Sequence, residues 1–459
     1  MTVGVQRISQ PDRTSKARHL ADAVENAVTE AHVREWAFVL AATARVVGDL
    51  DLAEECVQEA YLAALETWRR DGVPRKPGAW LTAAARRKAL DAIRHEKVVR
   101  AKLPLLVEPQ QAELDLPDDS LPDEHLRLVF TCCHPALALE AQVALTLRLV
   151  CGVSTADIAR AFLVSESTMA ARITRAKRKI GAAGVPYRVP GVQELPERLD
   201  AVLTVVHLFY NAGHTAPSGT ELLRVDLVER ALHLARMLHQ AMPDQPEVRG
   251  LLALLLLTDS RRGTRTDAQG RLLRLEDQDR TAWDRTAIDE GHRLVEEALS
   301  DGRIGRYTLL AAIACVHARA VTFSDTDWSR VVRLYDVLLT IWPSPVVALN
   351  RLIADSMLHG PRAGLVALDA LVGDGTLASY HYVPAVRADL LRRLGDRVAA
   401  AAAYREALAL VGNDAEREFL ATRLAELVDS GAVRPSEARG STFEGEPRWS
   451  PRARPDASG

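Results

Sequence analysis

The chain has 459 residues, 48% of them hydrophobic and 26% charged, with a formal net charge of −3. That composition fits a soluble globular chain with room for roughly three domains, and the near-neutral balance excludes a uniformly basic nucleic-acid coat, so any DNA affinity must come from local patches. No apolar run approaches the roughly 18 residues that a membrane span needs; the strongest, Leu251 to Leu257, is far shorter, and MTVGVQRISQPDRTSK lacks the apolar centre of a signal peptide. Five cysteines show no pairing framework, so a cytoplasmic, reduced protein is expected.

In chain order, residues 1–30 read as a flexible polar arm with a late helical part. Over 31–102 helical periodicity is strong. Ala53, Cys56, Val57, Ala60, Tyr61, Ala64, Leu65 and Trp68 form one apolar stripe. Asp51, Glu54, Glu55, Gln58, Glu59 and Glu66 form the outward set, which suits either a basic protein partner or plain solvent. Arg69 to Gly78 breaks the helix with two prolines and two glycines. Trp80 opens the next one, to about Lys102. Leu81, Ala85, Ala89 and Ala92 line one side of it, and Arg86, Arg87, Arg94 and Lys97 cluster on the other. A cationic face beside Trp80 suits DNA whose strands are separating, because a base stacked on an aromatic gains about 1–3 kcal/mol. Trp80 as an ordinary core aromatic is the plain alternative.

Residues 103–125 change character. Seven carboxylates, uninterrupted by Lys or Arg, and Pro104, Pro109, Pro117 and Pro122 predict a non-helical acidic linker. Residues 126–183 carry a helix-turn-helix pattern. Ser154 and Asp157 form a capping box for a helix from Thr155 to Phe162, Leu163 and Val164 make the turn, and Ser165 caps the next helix. On that helix Met169, Ile173, Ala176 and Ile180 point inward. Thr168, Ala171, Arg172, Arg175 and Lys179 then share the outward stripe, the layout a recognition helix needs for base edges and phosphates. A solvated basic face is the other reading.

Residues 190–290 form a further helical domain with a charged interruption, Arg261 to Asp284, expected to be a long loop. Residues 291–430 hold helix pairs, Val346–Leu358 with Arg362–Leu371 and Val383–Leu394 with Arg397–Leu410. Their spacing suits a tetratricopeptide-like solenoid, with Gly395, Tyr404, Ala407 and Leu410 as packing positions; a plain bundle is the alternative. Residues 431–459, with four Gly, four Pro and four Ser, are expected to be disordered. Cys132, Cys133 and His134 are too few for a zinc site. His207, Asn211 and His214 have no carboxylate partner nearby in sequence. No cofactor, metal or catalytic residue is therefore expected, and the fold class is all-α.

LDLAEECVQEAYLAALETW followed by GAWLTAAARRKALDAIR resembles region 2 of sigma-70 family sigma factors of the extracytoplasmic-function type. Residues 135–180 are similar to region 4 of that group. The resemblance implies that Glu55, Gln58, Glu59 and Tyr61 meet core RNA polymerase. It implies that Trp80, Arg86, Arg87, Arg94 and Lys97 act on the −10 promoter element, and that Ser165, Thr168, Ala171, Arg172, Arg175 and Lys179 act on the −35 element. VLTVVHLFYNAGHTAPSG and the segments beyond it resemble an extension found in one subgroup, DUF6596 followed by tetratricopeptide-like repeats. That subgroup usually has Asn-Glu-Gly where this chain has Asn211, Ala212 and Gly213. The implied function is promoter-specific initiation, with the extension controlling activity through contact with the sigma regions or polymerase. The rival is a one-component helix-turn-helix regulator with a ligand- or peptide-sensing helical domain, which leaves residues 51–100 without a task.

Overall fold

The computed structural model describes residues 13–102, 121–162, 164–185, 187–191, 193–215 and 223–429. Every regular element among them is helical, and the only β pairing is an isolated bridge between Thr266 and Leu272. The chain divides into two compact units, 1–202 and 203–459. The division falls inside one helix, between residues 202 and 203.

In the first unit, α1 (Arg13–Val47), α2 (Leu50–Asp71) and α3 (Pro77–Lys102) pack into a three-helix bundle. Helix therefore begins well before residue 30, which shortens the expected arm. Gly48 takes φ 69° between α1 and α2, a left-handed value that favours glycine. The Asp49 carboxylate then caps α2 by accepting from the Leu52 amide at 2.8 Å. The predicted stripe is the buried one: Ala53, Cys56, Val57, Ala60, Ala64 and Trp68 are all under 5% exposed. Leu40 of α1 and Leu81, Ala85 and Ala89 of α3, the two helices packed on α2, are also buried.

Then follow α4 (Leu121–Cys132), α5 (Leu139–Leu149), α6 (Thr155–Ala161) and α7 (Glu166–Ala182). The stretch 121–125, expected as linker, is helical. Pro122 sits in the first turn of α4, where a missing N–H leaves no intrahelical bond unmade. The remaining linker, 103–120, and the tail from 430 lie outside the described residues. Residues 187–189 return to α1, where the Tyr187 hydroxyl donates to the Ala41 carbonyl at 3.1 Å.

The second unit comprises most of α8 (Leu195–His214) and then α9 (Val225–Ala241), α10 (Pro246–Asp259), α11 (Arg285–Ser300), α12 (Arg306–Arg319), α13 (Trp328–Ile341), α14 (Pro345–His359), α15 (Pro361–Leu371), α16 (Tyr382–Leu394), α17 (Arg397–Leu410) and α18 (Asp414–Asp429). The run Leu251–Leu257 is the buried centre of α10, packed on α9, α11 and α12. Burial of each leucine there is worth about 1.5–3 kcal/mol. Gly250 is required by that packing, since a Cβ would stand 2.5 Å from the Thr308 amide. The start of α12 is capped from a distance. Glu247 of α10 accepts from the Tyr307 and Thr308 amides at 2.9 and 3.0 Å, satisfying orphan donors that the chain's own Gly305 cannot.

Successive helices from α13 to α18 pack on their neighbours in sequence. The two predicted pairs fall within a residue or two of α14/α15 and α16/α17. Gly395 ends α16 in the left-handed region at φ 84°, and Tyr404 and Ala407 are buried. Leu410, expected in the packing, is 39% exposed. The 261–284 interruption is not a loose loop. Trp283 donates to the Thr264 hydroxyl at 2.9 Å, the Asp284 amide bonds the Ser260 carbonyl at 2.9 Å, and Arg280 donates to the His317 and Ala320 carbonyls at 2.6 and 3.0 Å.

Candidate nucleic-acid and partner interface

Two short helices build the most DNA-like surface. Ser154 caps α6 by accepting from the Asp157 amide at 3.1 Å, and its hydroxyl donates to the Asp157 carboxylate at 2.6 Å. Ser165 caps α7 by accepting from the Thr168 amide at 3.2 Å. Both caps replace backbone partners missing in a first turn. Met169, Ile173, Ala176 and Ile180 are buried against the unit. That leaves Ser165, Thr168, Ala171, Arg175, Arg178 and Lys179 exposed, with Arg172 half-buried over the Phe162 ring at 5.9 Å. A cationic outward stripe on the second helix of such a pair can offer forked donors to base edges and charge to phosphates. Leu163, in the expected turn, lies outside the described residues.

On α2, Glu55, Gln58 and Glu59 are exposed, two of them engaged locally. Gln58 donates to Glu54 at 3.3 Å, and Glu59 pairs with Lys88 at 2.6 Å. Tyr61 departs from the expected partner face. It is 7% exposed, its hydroxyl donates to the Ala31 carbonyl at 3.2 Å, and its ring lies 5.4 and 5.9 Å from His32 and Trp36. Its place on the apolar stripe explains this, and burial raises its phenol pKa. On α3, Trp80 is half-buried and meets buried Trp68 edge-on at 5.6 Å. Arg87 and Arg94 are exposed and Arg86 is half-buried. The side chain of Lys97 lies outside the described residues.

Sequence reading missed an ionic cluster joining these two halves of the first unit. Lys177 of α7 donates to Asp51 at 2.8 Å and to Glu54 at 2.6 Å, and Arg148 of α5 pairs with the same Glu54. Lys177 and Glu54 are 8% and 9% exposed at their side chains. Glu54 thus leaves the expected outward set, and Lys177 is no part of the exposed cationic stripe of α7. Burial alone lowers the Lys177 pKa, but the hydrogen bonds to Asp51 and Glu54 outweigh it and raise the value above the ordinary lysine range. Beside the cluster, the Trp36 indole donates to the Leu149 carbonyl at 3.1 Å. The signal was in the spacing. Lys177 stands four after Ile173 and three before Ile180, and Glu54 four after Leu50 and three before Val57, so each lies on an inward stripe.

Cys132 and Cys133 are fully buried, and Cys133 Sγ lies 3.4 Å from the Thr146 hydroxyl. Burial pushes the Cys133 thiol up to about 12, an inert state. His134 Nδ1 accepts from the Ala136 amide at 3.1 Å. Among the described residues no three ligating side chains converge. In the second unit, burial holds His207 down at about 3 and His214 well below its usual value. Both are neutral near neutral pH, His214 buried and His207 half-buried.

Three family models match the chain. Residues 34–98 match sigma-70 region 2, residues 127–180 match sigma-70 region 4, and residues 198–299 match a family of unknown function, DUF6596. The chain belongs to the sigma-70 family. Regions 2 and 4 mark it as an RNA polymerase sigma factor, a transcription-initiation protein that binds core polymerase and promoter DNA. An uncharacterized protein of Rhizobium meliloti (strain 1021) is 42% identical over 400 residues, 86% of this chain and 94% of that protein. This sigma factor and that protein share the extension as well as the sigma regions. No solved structure matches the chain. No helix among its described residues is long and apolar enough to cross a membrane.

Proposed function

We propose that this protein is a sigma factor of the extracytoplasmic-function type, working in the cytoplasm as a dissociable subunit of core RNA polymerase. Its own part is recognition, without covalent chemistry. In region 2, Glu55, Gln58 and Glu59 offer an acidic face for polymerase, and Trp80, Arg86, Arg87, Arg94 and Lys97 act on the −10 element as its strands part. In region 4, Ser165, Thr168, Ala171, Arg172, Arg175 and Lys179 hold the −35 element in the major groove. Residues 103–120 link the two regions with acidic chain. Residues 190–430, read as DUF6596 with tetratricopeptide-like repeats, govern activity by touching the sigma regions or polymerase.

The capped α7 helix, with its buried apolar stripe and cationic outward stripe, is the observation that carries the reading. The test is run-off transcription. Purified protein alone should bind promoter DNA weakly, and adding core polymerase should give specific transcripts. Tight, sequence-specific binding without polymerase, and no transcripts with it, would establish a one-component regulator instead. Removing residues 190–430 should change the transcript yield; an unchanged yield would refute control by the extension.

A further inference from the structure

Within the first unit the two sigma regions lie against each other. Besides the pairs that Lys177 and Arg148 make with Asp51 and Glu54, the turn after α5 sits on α1. The Trp36 indole donates to the Leu149 carbonyl at 3.1 Å, and a Cβ on Gly152 would stand 3.0 and 3.2 Å from the His32 and Trp36 rings. Gly152 also takes φ 64°, a left-handed value that favours glycine. Phe38 of α1 meets His125 of α4 with ring centres 5.9 Å apart. Lys177 and Glu54 are shielded at this junction.

That arrangement cannot be the promoter-bound one. Base pairs at −10 and −35 are about 25 steps apart, roughly 85 Å along a duplex at about 3.4 Å per step. Lys177 ties α7 directly to α2, and α2 packs on α3. The two cationic helices are therefore about two helix diameters apart, roughly 20–25 Å. A chain the length of residues 103–120 reaches about 60 Å when extended, so the join between the regions allows a wide separation once the contact breaks. The contact also engages the polymerase side of region 2, since Gln58 donates to the same Glu54 at 3.3 Å.

The root of the extension holds this contact too. Residues 187–202 belong to the first unit. The Tyr187 hydroxyl donates to Ala41 of α1 in region 2, whereas Arg198 of α8 donates to the Phe130 carbonyl of α4 in region 4 at 2.5 Å. Leu199 and Val202 of α8 are buried. The same helix then runs on into the second unit.

We propose that the first unit is latched shut: Asp51 and Glu54 hold region 4 on region 2 through Lys177 and Arg148, Tyr187 staples the closed form, and polymerase must release both before α7 reaches the −35 element. The inference rests on the sigma-factor reading and adds a resting state to it. Because α8 belongs to both units, it gives the extension a route to the latch.

Carbodiimide coupling on the full wild-type chain reads the closed form. Asp51 is 58% exposed at its side chain and 2.8 Å from the Lys177 ammonium. The activated carboxylate should therefore form an Asp51–Lys177 amide with loss of water, detected by mass spectrometry of the digest. The amide should form in the free protein, and equally with a −35 duplex added, because the outward stripe of α7 is already exposed. With core polymerase bound, its yield should fall about tenfold or more. The double variant Lys177→Gln, Tyr187→Phe should bind core polymerase about tenfold more tightly, since binding no longer draws on a minor open population, while its affinity for the −35 duplex stays the same. An amide missing from the free chain, or formed undiminished in the polymerase complex, would overturn the latch. So would a double variant that binds polymerase no more tightly than wild type. If that variant does not fold, the coupling on the wild-type chain decides alone. Failure of the wild-type chain to bind polymerase at all would instead remove the sigma-factor reading and the latch with it.

Discussion

The first unit turns its cations outward, whereas the second folds many of its own inward. Arg87, Arg94, Arg175, Arg178 and Lys179 are exposed on α3 and α7. In the second unit Arg265 and Arg280 are 7% and 6% exposed and donate to backbone carbonyls, Arg265 to His214 and Arg280 to His317 and Ala320. Arg393 likewise donates to the Ser356 carbonyl at 3.0 Å. The same side chain is held out to solvent in one place and is a brace in the other. What differs is whether its helix position faces solvent or a neighbouring element with unsatisfied oxygens. A buried guanidinium is tolerable only with such partners. Arginine content therefore says little about DNA contact until the facing surface is known. Lys177 makes the same point within α7, since its ammonium is committed to Asp51 and Glu54.

Three changes would break or sharpen that contrast. The largest expected effect is at Glu54. Glu54→Ala removes the carboxylate that Lys177 and Arg148 share, leaving partly buried cations short of charge, and should destabilise the contact between regions 2 and 4 by about 3–5 kcal/mol. Amide hydrogen exchange in α5 and α7 should rise, and Glu54→Gln should have a milder effect. If exchange is unchanged, the cluster is not what joins the two halves.

Next in size is Arg172→Ala, which should weaken binding of a matched −35 element by about 1–3 kcal/mol and relax the sequence preference if the guanidinium forks onto a base. Arg175→Ala and Lys179→Ala should instead weaken all sequences alike, with a shallower salt dependence. Fluorescence anisotropy on matched and scrambled duplexes separates the two patterns.

The smallest effect concerns a half-buried imidazole of the second unit. His207 is held at about 3 against an ordinary 6.5, so the unfolded chain takes up a proton that the folded chain refuses. The stability it confers is whole above about 6.5 and is lost as pH falls from there toward about 3. Moving from pH 7 to 5.5 should cost about 1.3 kcal/mol at this residue. Urea unfolding at the two pH values measures the loss, and His207→Gln should remove this share of the pH dependence.

Much was legible in advance because helical periodicity marks which face is buried. The stripes on α2 and α7, both caps of the helix-turn-helix, and the limits of α14 to α17 follow from spacing and cap residues. Legibility failed where a residue obeyed two rules at once. Tyr61 is polar enough for a partner face but lies on the apolar stripe, and the stripe prevailed. Pro122 signals a break in mid-helix yet is harmless in a first turn. The 261–284 segment reads as a loop by charge, but its side chains bind the carbonyls of helices remote in sequence.

Sequence by itself determined the helices, their inner faces and the family, because those depend on near neighbours three and four residues apart. Tertiary structure alone decided which charges stay in water. Whether Glu54, Lys177 or Arg280 is solvated depends on groups 37 to 126 residues away, and local spacing carries no record of what those distant segments present.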